Sequence, residues 1–292
     1  MTQGEQVQIT NKEYHSRPEI SKSDLDVASR SGKHFCFKKE TQADETKQKE
    51  PTPAMRIGSA FHTQVLEPHL FEKEYVFAPE DLSMRTKEGK KWKEEQKELN
   101  KTILTKEEGI IVAGMADSLV SSKVATNLFN NKGTAEQSFF WADSQTNLGC
   151  KCRPDFLFDD GSTIVDLKTT ADASYKGFLK SISNFRYHVQ AGWYMHGLEQ
   201  ATGTRPKRFI FVAVEKTAPY AVGVYEADVY MCVNGFEQSM VDLKRISKWM
   251  KDEYFPNYTE DIQQISLPPW MTNAVKGKPP VGYDSIPDIT LF

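Results

Sequence analysis

From Arg153 to Lys168 the chain reads RPDFLFDDGSTIVDLK, and this stretch constrains the fold more than any other. DDGS (Asp159–Ser162) is a turn, set between the apolar FLF and the β-branched run TIVDLKTT, so the segment predicts two strands and a tight connection. Strand side chains alternate faces. Val165 and Leu167 therefore point one way, and Asp166 and Lys168 the other. Asp155 precedes Asp166 by eleven positions, and a hairpin can bring the two together, although spacing leaves the register open. Two carboxylates at close range repel unless a proton or a cation lies between them. Hard divalent ions such as Mg²⁺ or Mn²⁺ suit oxygen donors. A neighbouring lysine can orient or help deprotonate a water and offset charge on a phosphate, which phosphodiester hydrolysis requires. Acid–lysine pairs on exposed strands are also common and often contribute little, so the spacing alone equally admits an ordinary surface hairpin.

The flanking pattern sets the class. ISKSDLDVASRS (Ile20–Ser31) reads as a short helix capped by Ser21 or Ser23, with Leu25 and Val27 to bury. The polar run Lys38–Pro53 reads as an exposed linker. AMRIGSAFHTQVLEP (Ala54–Pro68) is helical, with Ile57, Phe61, Val65 and Leu66 as its apolar stripe; Gly58 suggests a close approach. Residues 85–108 read mainly as a charged, solvated helix, and Thr105–Phe129 as an amphipathic helix capped at Thr105. AEQSFFWAD and LGCKCRPDFLF have β character, Tyr175–Gly203 is one long helix or two joined ones, and Lys207–Lys216 and Pro219–Asp228 are strands. A final helix begins near Val229. This order predicts an α/β protein with a mixed central sheet flanked by helices. The expected division is an N-terminal helix and polar linker packed on the core (1–53), a main domain (54–265) and an extended tail (266–292).

Composition narrows the function classes. The net charge of −3 in 292 residues argues against a protein that coats DNA through bulk charge, but not against a local basic groove on an acidic body. No apolar run approaches the length of a membrane span, and the polar N-terminus shows no secretory signal, so the cytoplasm is expected. Cys36, Cys150, Cys152 and Cys232 lack the paired short spacings of a zinc site and read as reduced, mostly buried thiols.

Three further elements add to the hairpin: GSAFH (Gly58–His62), QAGWY (Gln190–Tyr194) and Tyr187 on the same helix face as Gln190 and Tyr194. Taken together, these residues resemble the PD-(D/E)xK nuclease superfamily, in its RecB-type branch with the elements G-x-x-x-H and Q-x-x-x-Y. YHSRPEISKSDLD, CRPDFLF, DLKTTADAS, FRYHVQAGWYMHG and SLPPW are similar to the nuclease domain of the RecE-type exonuclease VIII family, from about residue 14 to 270. The resemblance implies a restriction-endonuclease-like core and a Mg²⁺ site, with Mn²⁺ as a substitute. The ligands would be His62, Asp155, Asp166 and the Leu167 carbonyl, with Glu136 as an additional acid. It implies Lys168 as the catalytic lysine, with Gln190 and Tyr194 contacting DNA or holding the motif. It further implies 5′→3′ degradation of linear duplex DNA for recombination by strand annealing, a RecT-like annealing partner and a ring-shaped homo-oligomer. Some relatives carry an iron–sulfur cluster with three late cysteines; none follows Cys232, so no cluster is expected.

Candidate phosphate contacts are Arg85, Lys87, Lys90, Lys91, Arg153, Lys176, Lys180 and Arg186, with Tyr187 beside them; any one of the charges also fits a solvated face. The terminal DITLF (Asp288–Phe292) is somewhat similar to peptides that bind sliding clamps. Other RecB-like specificities, and a DNA-end-binding protein without turnover, remain as alternatives.

Overall fold

The structure, a computed structural model, describes residues 4–43, 50–79 and 81–268. The chain forms two units, Met1–Pro256 and Asn257–Phe292. In the second, residues 257–268 contain no helix or strand, and the Asp288–Phe292 peptide lies outside the described residues.

The first unit opens with β1 (Glu5–Val7), α1 (Asn11–Ser16), α2 (Lys22–Ala28) and α3 (Gly32–Ala43). Next come α4 (Pro53–Leu66), α5 (Pro68–Glu74), β2 (Tyr75–Phe77), α6 (Lys87–Glu98), β3 (Thr102–Leu104), α7 (Lys106–Ser121) and α8 (Lys123–Phe129). The β-rich part comprises β4 (Gly133–Ala135), β5 (Ser138–Ala142), β6 (Gly149–Cys152), β7 (Phe156–Phe158) and β8 (Thr163–Thr170). The chain continues through α9 (Tyr175–Asn184), α10 (Tyr187–Thr202), β9 (Arg208–Glu215), β10 (Val222–Glu226) and α11 (Val229–Asp252).

The central sheet has the order β10-β9-β8-β7-β4. It is mixed: β8 and β9 run parallel and the other neighbours antiparallel. The parallel pair is joined through α9 and α10, the crossover that parallel strands need. Helices cover both faces. Ile164, Phe209 and Phe211 pack with residues of α2, α3, α10 and α11, while Val165, Leu167, Val212 and Val214 pack with residues of α4 and α7. This is the α/β architecture with a mixed sheet that the element order predicts, and it agrees with the restriction-endonuclease-like core that the resemblance implies.

Several local expectations change. LGCKCRPDFLF is not one strand. It breaks at Arg153–Asp155, and β6 joins a separate sheet of order β1-β5-β6 while β7 stays in the central one. Pro154 explains the break, because it has no N–H with which to extend a ladder. Lys38–Ala43 is the second half of α3 rather than linker, and Lys38 and Lys39 pair with the buried Asp24 at 2.9 and 3.2 Å. Residues 44–49 of that run lie outside the described residues. Ser122 divides the expected helix Thr105–Phe129 into α7 and α8, and Ser21 caps α2. Pro68 ends α4 as expected and also begins α5, where a missing N–H costs nothing. The three-residue strands β1 to β4 are too short to leave a periodic signal in the sequence. No described helix is long and apolar enough to cross a membrane.

α10 is apolar almost all round, with Val189, Ala191, Trp193 and Leu198 buried, as befits a helix enclosed on several sides. It meets α11 at two glycines. A Cβ on Gly235 would stand 1.7 Å from the His188 carbonyl oxygen, and one on Gly192 2.1 Å from the Phe236 nitrogen. Both obstacles are backbone and cannot swing aside. Gly235→Val is expected to destabilise the fold by about 1–3 kcal/mol or more, read as a lower denaturation midpoint. An unchanged midpoint would show that the helices can separate without cost.

Candidate active site

β7 pairs with β8 only through Phe156↔Val165 and Leu157↔Ile164. Continuing that antiparallel register by one step sets Asp155 opposite Asp166. At that point Pro154 has already turned the chain away, so the β7-facing edge of β8 is free from Leu167 onward. A buried N–H and C=O on such an edge need partners. Leu167 N–H donates to Asp155 Oδ2 at 2.6 Å, and Leu167 O lies 2.7 Å from His62 Nε2.

His62 comes from α4, on the other side of the sheet from α10. α4 is tied to α7 by Arg56, which donates to Glu108 at 2.6 Å, and Glu108 in turn closes the capping box with Thr105. His62 Nδ1 lies 2.9 Å from Gly58 O, one turn back. This i−4 bond aims Nε2 at Leu167 O and at Asp155 Oδ2, 3.4 Å away. The sequence reading gave Gly58 a close-approach role. The structure does not need one, because a Cβ there would meet only Thr169 Oγ1 at 3.5 Å.

Asp166 and Lys168 lie on the face of β8 opposite Val165 and Leu167, as alternation predicts. Asp166 is fully buried. Its Oδ1 accepts from Gln190 Nε2 at 2.5 Å, and its Oδ2 faces Lys168 Nζ at 2.5 Å without a hydrogen bond of good geometry. Gln190 is thus the polar residue among the buried side chains of α10, and its amide nitrogen donates to the Asp166 carboxylate. Lys168 Nζ also lies 5.0 Å from the centroid of the Tyr187 ring. Tyr194 is more recessed, packed on Phe209 with centroids 6.3 Å apart, and burial keeps its hydroxyl neutral.

The charges are strongly coupled. Burial opposes a proton on His62, but Asp155 outweighs burial and raises its pKa to about 9. Burial pushes Asp155 up, and His62 more than reverses this, so Asp155 is held ionised. Burial, reinforced by Asp155 and countered by Lys168, raises Asp166 to about 6. Lys168 loses hydration, yet Asp166 and Asp155 keep it protonated. Glu136 has a left-handed backbone at φ 50°, and its N–H donates to Asp155 O at 3.0 Å. Burial and then Asp155 raise its carboxyl to about 8. A non-glycine residue in that conformation stores strain, a pattern that concentrates at functional sites. Glu136 and His62 share a cleft of about 550 Å³ that also takes in Gly58, Ser59, Glu67 and Thr169.

Among the described residues, no three His, Cys, Asp or Glu side chains already form a metal cage. The donor set is nonetheless that of a hard cation. His62 Nε2, Asp155 Oδ2 and Leu167 O face one another at 2.7 and 3.4 Å, so one ring proton now serves two acceptors. The poorly bonded, buried Asp166 Oδ2 stands on the adjacent face, held toward Lys168. Oxygen donors with one imidazole fit Mg²⁺ or Mn²⁺.

The basic residues separate. Arg153 is enclosed: it donates to Ser138 Oγ at 3.0 Å and to Ile9 O at 2.7 Å, and its guanidinium covers the Tyr14 ring at 4.4 Å. Arg186 pairs with Asp242 at 2.5 Å and donates to Leu25 O at 3.2 Å. Both bind the N-terminal segment to the core, and their forks are already occupied. Arg85, Lys87, Lys90 and Lys91 are exposed at and before α6, and Lys176 and Lys180 are exposed on α9. Sequence reasoning missed Lys22, whose Nζ lies 5.7 Å from the Tyr187 ring and whose charge is felt by the Asp166–Lys168 pair. No local signal singles it out, because it comes from a helix far away in the chain.

The sequence profile of one family, described as a PDDEXK-like domain of unknown function (DUF3799), matches residues 21–268. The chain belongs to this family. Among solved structures, a "Putative exonuclease" from Eubacterium rectale superposes with a TM-score of 0.62 at 14% identity, covering 93% of this chain and 99% of that one. At that identity the likeness concerns the fold. The structure of SSO0001 shares 17% identity over 63% of this chain and 85% of that one, and its TM-score of 0.27 carries no weight. Among curated proteins none matches the sequence. A PDDEXK-like domain is a nuclease-type fold, and divalent metal dependence is general for nucleases of this kind.

Two predictions follow from the geometry. Asp155→Asn should abolish metal-dependent cleavage, whereas Asp160→Asn, whose carboxylate accepts from Ser162 N at 2.9 Å in the exposed turn, should leave it within about twofold; equal losses in a hydrolysis assay would remove the distinction. Glu136 has a folded pKa above its ordinary one, so its contribution to stability is complete below about pH 4.5 and is lost as pH rises through about 8. In metal-free buffer Glu136→Gln should therefore be the more stable protein at pH 8, by about 1–2 kcal/mol. Parallel melting curves for the two proteins from pH 5 to 9 would contradict this.

Proposed function

We propose that this protein is a Mg²⁺-dependent exonuclease that degrades linear double-stranded DNA 5′→3′ and leaves 3′ single-stranded overhangs for annealing. The observation that carries the reading is the convergence of His62 Nε2, Asp155 Oδ2 and Leu167 O at the freed edge of β8, with Asp166 and Lys168 one residue to either side of Leu167. The Eubacterium rectale neighbour, described as a "Putative exonuclease", agrees with it. The polarity and the recombination role come from the resemblance to the exonuclease VIII family.

His62, Asp155, Asp166 and Leu167 O would hold a divalent cation, which would supply Lewis acidity toward the phosphate and lower the pKa of a bound water. The remaining work belongs to the chain. The Leu167 N–H fixes one carboxylate and Gln190 the other, so neither has to reorganise as charge moves to the phosphate oxygens. Lys168 is held protonated by the two aspartates, so it acts as a hydrogen-bond donor that orients the attacking water and offsets phosphate charge. Attack breaks the P–O3′ bond, leaving a 5′-phosphate on one product and a 3′-hydroxyl on the other. Exposed Arg85 and Lys90 would contact the flanking phosphates, which makes binding fall steeply with salt. On this reading the partners are linear duplex ends, an annealing protein of the RecT type and further copies of the chain in a ring. The setting is the cytoplasm of a bacterial or phage-infected cell.

The test uses duplexes labelled at one 5′ or one 3′ end, with a covalently closed circle alongside. With Mg²⁺, early release of the 5′ label and an intact circle are expected, and a chelator should stop the reaction. Early release of the 3′ label would reverse the polarity. Cutting of the circle would replace the exonuclease with an endonuclease.

A further inference from the structure

Between α9 and α10 the backbone turns at Arg186, a non-glycine residue in the left-handed conformation at φ 52°. The turn is clamped rather than loose. Arg186 reaches Leu25 O at 3.2 Å, Asp26 at 3.4 Å and Asp242 at 2.5 Å. Lys22 Nζ donates to Phe185 O at 2.7 Å and pairs with Asp26 at the same distance. Elements from three parts of the chain thus hold one kink.

The kink sets its two flanking aromatic rings against each other, the inner one near Lys168 and the outer one at the surface. Tyr187 turns in, toward Lys168 Nζ, with Phe178 and Phe211 at centroid distances of 5.9 and 6.0 Å. Phe185 turns out and leaves 58% of its surface in water. Its ring stacks on Tyr187 at 5.6 Å and an interplanar angle of 28°. Two rings therefore lead directly from the catalytic ammonium to the surface. α9, which Phe185 caps, also exposes Tyr175, Lys176, Leu179 and Lys180 along its length, aromatic and apolar groups interleaved with positive charge. More than half of this apolar ring is in water, and covering exposed apolar area is favourable. Water gains nothing from its exposure, and a flat apolar partner would.

We propose that Phe185 is a stacking platform for a nucleobase next to the scissile phosphate. The occupant is a base of the DNA strand being cut. Phe185 is continuous with Lys168 through Tyr187, and the exposed lysines of α9, Lys176 and Lys180, carry charge opposite to that of a DNA backbone. Every base has a π-face, so such a platform grips DNA without regard to sequence, and each stacked base is worth a large factor in affinity. The proposal deepens the nuclease reading and rests on it.

The experiment compares wild type, Phe185→Ala and Phe185→Trp on a short duplex carrying 2-aminopurine at the terminal position of either strand. Binding is read by fluorescence quenching in chelator, and cleavage with Mg²⁺. Quenching in wild type and in Phe185→Trp is expected. In Phe185→Ala it should be lost and KM should rise about tenfold, with melting temperature and kcat little changed. An abasic terminal nucleotide should cost wild type a similar factor and Phe185→Ala nothing further. If wild type cleaves and Phe185→Ala quenches equally, the platform is overturned and the nuclease reading stands. If wild type quenches through Phe185 but cleaves no DNA, the platform stands and hydrolysis falls. If wild type does not bind the duplex, both fall.

Discussion

Leu167 N–H donates to the Asp155 carboxylate where, one strand-width away, a ladder bond would otherwise form. The site depends on this substitution. Pro154 turns the chain out of the sheet, the carboxylate that follows takes the position of a backbone carbonyl, and the Leu167 carbonyl beside it is left for a side chain from another layer. His62 fills that role from α4, so a helix on one face and a hairpin in the sheet meet at a main-chain edge. A fully paired β7–β8 hairpin would satisfy the same groups and leave no donors for a cation.

The electrostatics follow from that geometry. His62, Asp155, Asp166 and Lys168 are withdrawn from water within a few residues of one edge, and none keeps its ordinary pKa. In the metal-free protein each charge is compensated by a neighbour. His62 holds a proton against Asp155, and Lys168 stands against Asp166. Such an arrangement is stable only while every partner is present.

Much of the remaining positive charge is architectural. Lys151 Nζ donates to Tyr14 O and Arg17 O at 2.6 and 2.7 Å, and Arg153 reaches Ile9 O and Thr10 O. These long side chains fasten α1 and its flanks to β6 and to the segment that leads from it to Asp155. Arg186 does the same for α2 and α11. Their charges look identical in sequence to those of Arg85 or Lys90, which face solvent; burial separates them, and burial is a property of the assembled fold.

The hairpin was legible because strand alternation and turn chemistry are local. DDGS placed the turn, and D-x-K put Asp166 and Lys168 on one face. The capping box at Thr105 was legible for the same reason, and the cap of α2 was narrowed to Ser21 or Ser23. The break at Pro154, the sheet that β6 joins and the kink at Arg186 were not, because each is decided by what packs against it from distant segments. So the sequence by itself determined which side chains could form the site and which face of β8 they would occupy. Only the tertiary structure decided that Asp155 would bond the Leu167 N–H, that His62 would approach from the opposite layer, and that Phe185 would stay in water. The physical reason is that side-chain direction follows from the local backbone, whereas the pairing of a freed strand edge depends on groups brought to it from remote parts of the chain.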